Sequence, residues 1–81
     1  MKIVTKRQAD AVMLASLFQP VNGRTLSVEK FDNGKYRGKP ADYIGRDVPD
    51  IRGTHAVYPV LRTDSDGPYV ALYSISEGAQ S

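Results

Sequence analysis

Two β-rich runs joined by a short turn constrain the fold of this chain most strongly. Residues 54–63 and 69–76 are rich in Val, Leu, Ile and Tyr, and residues 64–68 between them read Asp-Ser-Asp-Gly-Pro. β-branched and aromatic residues favour strands, whereas Asp, Ser, Gly and Pro favour tight turns. The pattern predicts an antiparallel hairpin over residues 54–76.

The turn also predicts which side chains of this hairpin share a face. A loop over residues 64–67 pairs Leu61 with Val70, Pro59 with Leu72 and Val57 with Ser74 on one face. The other face then holds the pairs Arg62 with Tyr69, Val60 with Ala71, Tyr58 with Tyr73 and Ala56 with Ile75. Both faces carry apolar residues, so each needs a covering layer or a partner. Because proline donates no amide hydrogen bond, Pro59 predicts an edge strand or a bulge.

A helix is predicted near the beginning of the chain. Thr5 followed three residues later by Gln8 fits a capping box, and Pro20 ends the pattern, so the helix should span about residues 6–19. We expect the face that packs on the sheet to be the stripe of Ala11, Leu14, Ala15 and Phe18.

A second hairpin is predicted over about residues 24–39. It follows an Asn22-Gly23 turn and contains Asp-Asn-Gly-Lys at residues 32–35, a strong signal for a tight turn. A two-residue turn would place Phe31 opposite Tyr36 and Lys30 opposite Arg37. Residues 40–53 have loop composition, with at most one helical turn at residues 40–44, and residues 77–81 form a polar tail that should fray.

These elements predict a single α+β domain over residues 1–81, with one N-terminal helix packed on a small antiparallel sheet of two hairpins, about four strands. The chain has no cysteine, which excludes disulfides and cysteine-ligated zinc and is more typical of a cytoplasmic protein. Its only apolar run is too short for a membrane span, and we expect no membrane association.

The positive charge is concentrated in the first half of the chain. Residues 1–39 carry eight Lys or Arg and three Asp or Glu, and residues 40–81 carry three and six, so the halves have net charges of +5 and −3. The first candidate binding site is the basic hairpin, with Lys30, Lys35, Tyr36, Arg37 and Lys39. Such a site suits phosphates or an acidic protein surface. The alternative is that these cations only keep the hairpin soluble and protect its edge.

The second candidate binding site is the tyrosine-bearing face of the other hairpin, with Tyr58, Arg62, Tyr69 and Tyr73. Tyrosine combines a large contact area with a polar tip and is enriched at interfaces, so this face could bind a partner or a second copy of the chain. The alternative is that the 40–53 loop folds over it as a second core.

The side chains needed for catalysis or metal binding are sparse. His55 is the only histidine, and no sequence pattern places it beside a nucleophile. Asp64 and Asp66 resemble the start of a calcium loop, but the twelfth position holds Ile75 where a bidentate glutamate is needed. No glycine-rich phosphate loop is present. We therefore expect no catalytic residues, no metal site and no cofactor.

The leading hypothesis is a small non-catalytic binding protein that acts on a larger protein or nucleoprotein partner. The sequence favours a protein as the partner over a nucleic acid. By analogy of size alone, the chain could be a phage or mobile-element inhibitor such as an anti-CRISPR protein. The alternative is a nucleic-acid-binding accessory protein that uses the basic hairpin. A homodimer through the tyrosine-bearing face is compatible with either function.

Overall fold

The protein has two layers, a helix and a three-stranded sheet whose central strand is the last in the chain. The computed structural model describes residues 1–18 and 25–78. Helix α1 spans Lys6–Phe18, strand β1 Leu26–Lys30, a short 3₁₀ helix Pro40–Tyr43, strand β2 Thr54–Asp64 and strand β3 Gly67–Glu77. The strands form one antiparallel sheet in the order β1-β3-β2. The α+β class is confirmed, with three strands in this sheet instead of about four.

The β2–β3 hairpin has the register that the sequence predicts. Its pairs include Leu61 with Val70 and Tyr58 with Tyr73. The Asp64 side chain accepts a hydrogen bond of 2.9 Å from the Asp66 amide, and Gly67 adopts a φ of 107°, which favours glycine. β2 lies at an edge of the sheet, as its proline predicts, and its register shifts between Thr54 and Ala56.

The predicted first hairpin is wrong. β1 pairs with β3, where Lys30 lies opposite Tyr73, so Lys30 does not face Arg37. Tyr36 forms an isolated bridge to Val70 further along the same edge of β3, with N–O distances of 2.8 and 2.7 Å. The turn signal acts only locally, since the Gly34 amide donates to Asp32.

The physical reason for this arrangement is the length and apolar character of β3. Its 11 residues provide a long edge for pairing, and pairing there places Leu26 against the buried cluster of Ala9, Ala56, Tyr58 and Ile75. It also separates two like charges that would destabilise the hairpin.

α1 begins as predicted but packs through a different face. The Thr5 hydroxyl accepts from the Gln8 amide at 3.1 Å, and the Gln8 side chain accepts from the Thr5 amide at 2.9 Å. The buried helix residues are Ala9 and Ser16, and the partly buried Val12 and Met13 pack beside them. The predicted stripe of Ala11, Leu14, Ala15 and Phe18 is exposed instead.

Both stripes of α1 have helical spacing, so spacing alone does not choose between them. The small side chains of Ala9 and Ser16 allow α1 to approach the sheet closely, and the Ser16 hydroxyl is satisfied by donating to the Met13 carbonyl at 2.6 Å. Close packing against the sheet therefore selects the less apolar stripe.

The opposite face of the sheet is covered by the first residues of the chain and by the 40–53 segment. Ile3 exchanges hydrogen bonds with this segment, from its amide to the Arg46 carbonyl and to its carbonyl from the Gly45 amide. The amide of Val4 donates to the carbonyl of Val57 in β2. Ile3, Val57 and Leu72 form the buried cluster on this side.

Some predictions concern residues that lie outside the described part of the chain. These are the helix end at residues 19 and 20, the turn at residues 22 and 23, and residues 79–81 of the tail. The first tail residue, Glu77, belongs to β3, and its amide donates to the Gly53 carbonyl.

Candidate functional site

α1 covers only one half of the sheet face on which it lies. Its core contacts are with Ala56, Tyr58 and Ile75, near the β2 beginning and the β3 end. Tyr58 is only 4% exposed, and burial is the main cause that raises the pKa of its hydroxyl. The tyrosine-bearing face is thus divided, with Tyr58 under the helix and the rest beyond it.

The other half of this sheet face gathers cations around two tyrosines. Lys30 is paired with Tyr73, and Arg62 with Tyr69, and paired residues of an antiparallel sheet share a face. Because Tyr36 packs on the opposite face, its two neighbours in the chain extend to this one. We call this surface the basic–aromatic face, and its residues are Lys30, Lys35, Arg37, Arg62, Tyr69 and Tyr73.

Lys35 joins the two predicted sites. Its ammonium binds the carboxylate of Asp64 at the tip of the β2–β3 hairpin and lies 5.2 Å from the centroid of the Tyr69 ring. The hydrogen bond from Lys35 is the main cause that lowers the pKa of Asp64, and the same bond raises the pKa of Lys35.

Arg62 and Tyr73 form a second cation–aromatic pair on the basic–aromatic face. The guanidinium of Arg62 donates to the Tyr73 hydroxyl at 2.8 Å and lies 5.9 Å from the centroid of its ring. The rings of Tyr73 and Tyr58 are 6.2 Å apart between centroids, so Tyr73 also borders the core. These contacts hold the Tyr73 ring at the helix side of the face.

Two cations of the basic–aromatic face are available to an anion. Among the residues that the structure describes, Lys30 and Arg37 form no ion pair with a carboxylate, and both are exposed. Arg37 lines a depression of about 210 Å³ together with Lys35 and Tyr69, and the carboxylates of Asp64 and Asp66 lie at the same depression. Free cations beside partly buried tyrosine rings suit phosphate groups and the flat rings of nucleobases.

Two residues of the predicted basic site lie elsewhere. The Tyr36 hydroxyl donates to the Asp32 carboxylate at 2.5 Å on the opposite face of the sheet, and this bond is the main cause that raises the pKa of Tyr36. Lys39 precedes the 3₁₀ helix, where its amide donates to Asp42 at 2.9 Å. The ring of Tyr36 therefore packs on the opposite face of the sheet, and Lys39 lies at the start of the 3₁₀ helix.

The histidine considered for catalysis lies apart from the basic–aromatic face, at the beginning of β2. His55 Nε2 lies 3.4 Å from the carboxylate of Glu77. Residues 1–18 and 25–78 contain no group of three His, Cys, Asp or Glu placed to hold a metal ion. Within the same residues, no helix has the length and apolar content that crossing a bilayer requires.

The outer face of α1 carries Leu14 and Phe18, which the sequence prediction assigned to the core, and Leu17, which it did not. Leu14, Leu17 and Phe18 are 57, 71 and 79% exposed. The sequence does contain a signal for this exposed apolar surface. All of residues 11–18 except Ser16 are apolar, and one packed helix face does not require so many apolar residues.

Comparison with known proteins identifies relatives over nearly the whole length of the chain. The family model described as "Protein of unknown function (DUF987)" matches residues 1–77. The chain is 41% identical over 78 residues to "Uncharacterized protein YkfH" of Escherichia coli strain K12, covering 94% of this chain and 97% of the relative. "Uncharacterized protein YeeT" of the same strain and of Escherichia coli O157:H7 have the same identity and coverage. No solved structure matches the chain.

Proposed function

We propose that the chain, which belongs to the DUF987 family of proteins of unknown function, is a non-catalytic binding protein that contacts nucleic acid through its basic–aromatic face. The observation that carries the proposal is the convergence of four cations, from β1, from the 35–37 segment and from β2, around Tyr69 and Tyr73. The protein would act on a nucleic acid or on the nucleic acid of a larger nucleoprotein partner.

The arrangement of charges favours a polyanion over an acidic protein surface. Lys30 and Arg37 are exposed and form no ion pair in the described chain, and they lie at different positions along β3, Lys30 opposite Tyr73 and Arg37 next to the bridge between Tyr36 and Val70. Cations spread along a sheet face match a repeating phosphate backbone, and neighbouring tyrosines provide rings for bases to stack on. The net charge of +2 would make the interaction weak and sensitive to salt.

The direct test is fluorescence anisotropy with a labelled single-stranded oligonucleotide at several salt concentrations. We expect log K to fall linearly with log salt, with a slope of about −0.7 for each phosphate neutralised. Lys30→Glu combined with Arg37→Glu should abolish binding at low salt.

A matched control is available on the rest of the surface. Arg7→Glu combined with Arg52→Glu changes the net charge equally, at exposed arginines outside the basic–aromatic face. The proposal predicts that this control retains more affinity than the Lys30 and Arg37 variant. Equal weakening of both variants would show that only net charge matters, and binding unaffected by either would overturn the proposal.

A second candidate function is protein binding through the outer face of α1. The supporting observation is the exposure of Leu14, Leu17 and Phe18, which are large apolar side chains on one element. An inhibitor of a nucleic-acid-processing complex, such as a phage or mobile-element protein, would have a use for both surfaces. This role and a cytoplasmic location rest on size analogy and on the lack of cysteine.

The two candidate functions differ in which variant loses its partner. A protein captured from nuclease-treated lysate should be lost with Leu17→Glu combined with Phe18→Glu, and retained with Lys30→Glu combined with Arg37→Glu. A homodimer remains a further proposal. Because Tyr58 is buried under α1, a second copy would contact the exposed part of the tyrosine-bearing face around Tyr69 and Tyr73, and light scattering would report a dimer mass.

A further inference from the structure

On the face of the sheet opposite α1, we infer a binding site for a small aromatic carboxylate, independent of the nucleic-acid interface. A cavity of about 270 Å³ opens there between the first residues of the chain, β3 and the 40–53 segment. Its floor is formed by the buried side chains of Ile3 and Leu72. Its walls include Phe31, Tyr36, Tyr43 and Val48, so the lining is largely apolar.

The size and the shape of the cavity suit a single aromatic ring with a short chain. An apolar protein cavity of about 150 Å³ is enough to bind benzene, so the larger volume leaves room for two or three further heavy atoms. The rings of Tyr36 and Tyr43 are 5.6 Å apart between centroids and meet edge to face at 64°. A third ring can continue this edge-to-face arrangement on the apolar side.

The rim carries two carboxylates, Asp32 and Asp47, and one cation, Arg46, which is the group that can receive an anionic ligand. Asp47 is paired with Lys2 at 3.0 Å, and Asp32 accepts the Tyr36 hydroxyl and the Gly34 amide. Arg46 is the remaining charged residue of the lining, and in the described chain it pairs with no carboxylate.

The Arg46 guanidinium is also held in place at the rim. It lies 4.5 Å from the centroid of the Tyr43 ring, and its backbone is bonded to Ile3 and to Tyr43. A planar guanidinium over a wall ring, with its donors open, can take a carboxylate in a bidentate fashion. The apolar floor and this one cation together define the class of ligand.

The test uses the whole chain labelled with ¹⁵N and 3-phenylpropionate as the probe. We expect the amide signals of Ile3, Phe31, Val48 and Leu72 to shift in a saturable way below about 10 mM, which corresponds to weak specific binding. The neutral analogue 3-phenylpropanol should bind about two- to five-fold more weakly, as is usual for an exposed charged contact.

Variants of the rim separate the role of the charge from that of the cavity. Arg46→Gln should remove the preference for the carboxylate over the alcohol, and Arg46→Lys should retain part of it. Arg52→Gln, at an exposed arginine outside the lining, is the matched control and should leave the preference unchanged. The amide spectrum of each variant confirms that the fold is intact.

Three results would overturn the inference. These are no saturable shift at the cavity residues, shifts confined to the exposed apolar residues of α1, and an unchanged carboxylate preference in Arg46→Gln. A peptide ending in phenylalanine, compared with its C-terminal amide, identifies the source of the ligand. Tighter binding of the free-acid peptide than of 3-phenylpropionate would assign the site to a chain terminus, and weaker binding would assign it to a free acid.

Discussion

The ammonium of Lys35 lies 5.2 Å from the centroid of the Tyr69 ring while it binds the carboxylate of Asp64. This contact connects the segment after β1 with the tip of the β2–β3 hairpin, which are far apart in the sequence. Two surfaces that were predicted separately, one basic and one rich in tyrosine, therefore meet on a single face of the sheet.

The contact between Lys35 and Asp64 should be visible in an acid titration. The pKa of Asp64 is lowered mainly by the hydrogen bond from Lys35, so its contribution to stability is present above the ordinary carboxyl pKa. The contribution is lost as the pH falls through the lowered pKa of the folded state. We expect the ¹³C signal of the Asp64 carboxyl to titrate with a pKa below the ordinary value of 3.8.

Substitution of the cation should reverse this shift. In Lys35→Gln the pKa of Asp64 should rise towards the ordinary value, whereas Lys30→Gln, on the same face but without this bond, should leave it in place. An ordinary pKa for Asp64 in the unsubstituted protein would contradict the contact between Lys35 and Asp64.

The packing face of α1 can be tested by enlarging one alanine on each side of the helix. Ala9 is fully buried, so Ala9→Leu should overpack the core and reduce the free energy of unfolding by about 1–3 kcal/mol. Ala11 is exposed, so Ala11→Leu should change it by less than about 0.5 kcal/mol. Urea denaturation measures both changes. A larger loss of unfolding free energy for Ala11→Leu than for Ala9→Leu would show that the stripe predicted from the sequence packs on the sheet.

Stacking on Tyr69 should contribute to the proposed nucleic-acid binding. Tyr69→Ala should weaken binding of a single-stranded oligonucleotide by about 1–3 kcal/mol, which is the usual effect of removing one stacking ring. Tyr69→Phe keeps the ring and should retain most of the affinity. If the two variants bind equally, base stacking on this ring has no part in the interaction, whichever way the charge reversals behave.

Tyr36 should titrate late in the alkaline range. Its pKa is raised from the ordinary value of 10.0, chiefly because its hydroxyl donates to the Asp32 carboxylate. The folded protein thus holds this proton more tightly than the unfolded chain. The resulting stability is present below pH 10 and is lost as the pH rises through the raised pKa.

Tyrosinate absorbance measures this titration. The difference between the curves of the unsubstituted protein and Tyr36→Phe should isolate a component that titrates above the ordinary range. Asp32→Asn should move that component back towards 10.0, because the acceptor loses its charge. A difference curve centred on the ordinary value would contradict the hydrogen bond.

Local chemistry explains which parts of the fold were predictable. The capping pair Thr5 and Gln8 acts within one helical turn, and the Asp64–Gly67 turn determines the register of the strands beside it. The hairpin predicted around residues 32–39 is wrong because its signal is only local. A local turn signal is present there, but the pairing partner is chosen by the longer apolar edge of β3.

For the candidate sites as well, the sequence revealed the residues and the tertiary structure revealed their arrangement. The sequence indicated all six residues of the basic–aromatic face, since cations and tyrosines near turns are visible in the chain itself. It could not show that they share one face, that Tyr58 lies under α1, or that Arg46 stands over Tyr43 at the rim of a cavity. Each of those facts depends on contacts between distant segments.

The sequence by itself therefore determined the helix start, the β2–β3 hairpin with its register, and the residues available for binding. The tertiary structure alone decided which stripe of α1 packs, which strand β1 pairs with, and how Lys35 reaches Tyr69. The reason is that burial of apolar surface is summed over the whole fold, so the sheet selects Ala9 and Ser16 for close approach and leaves Leu14 and Phe18 outside.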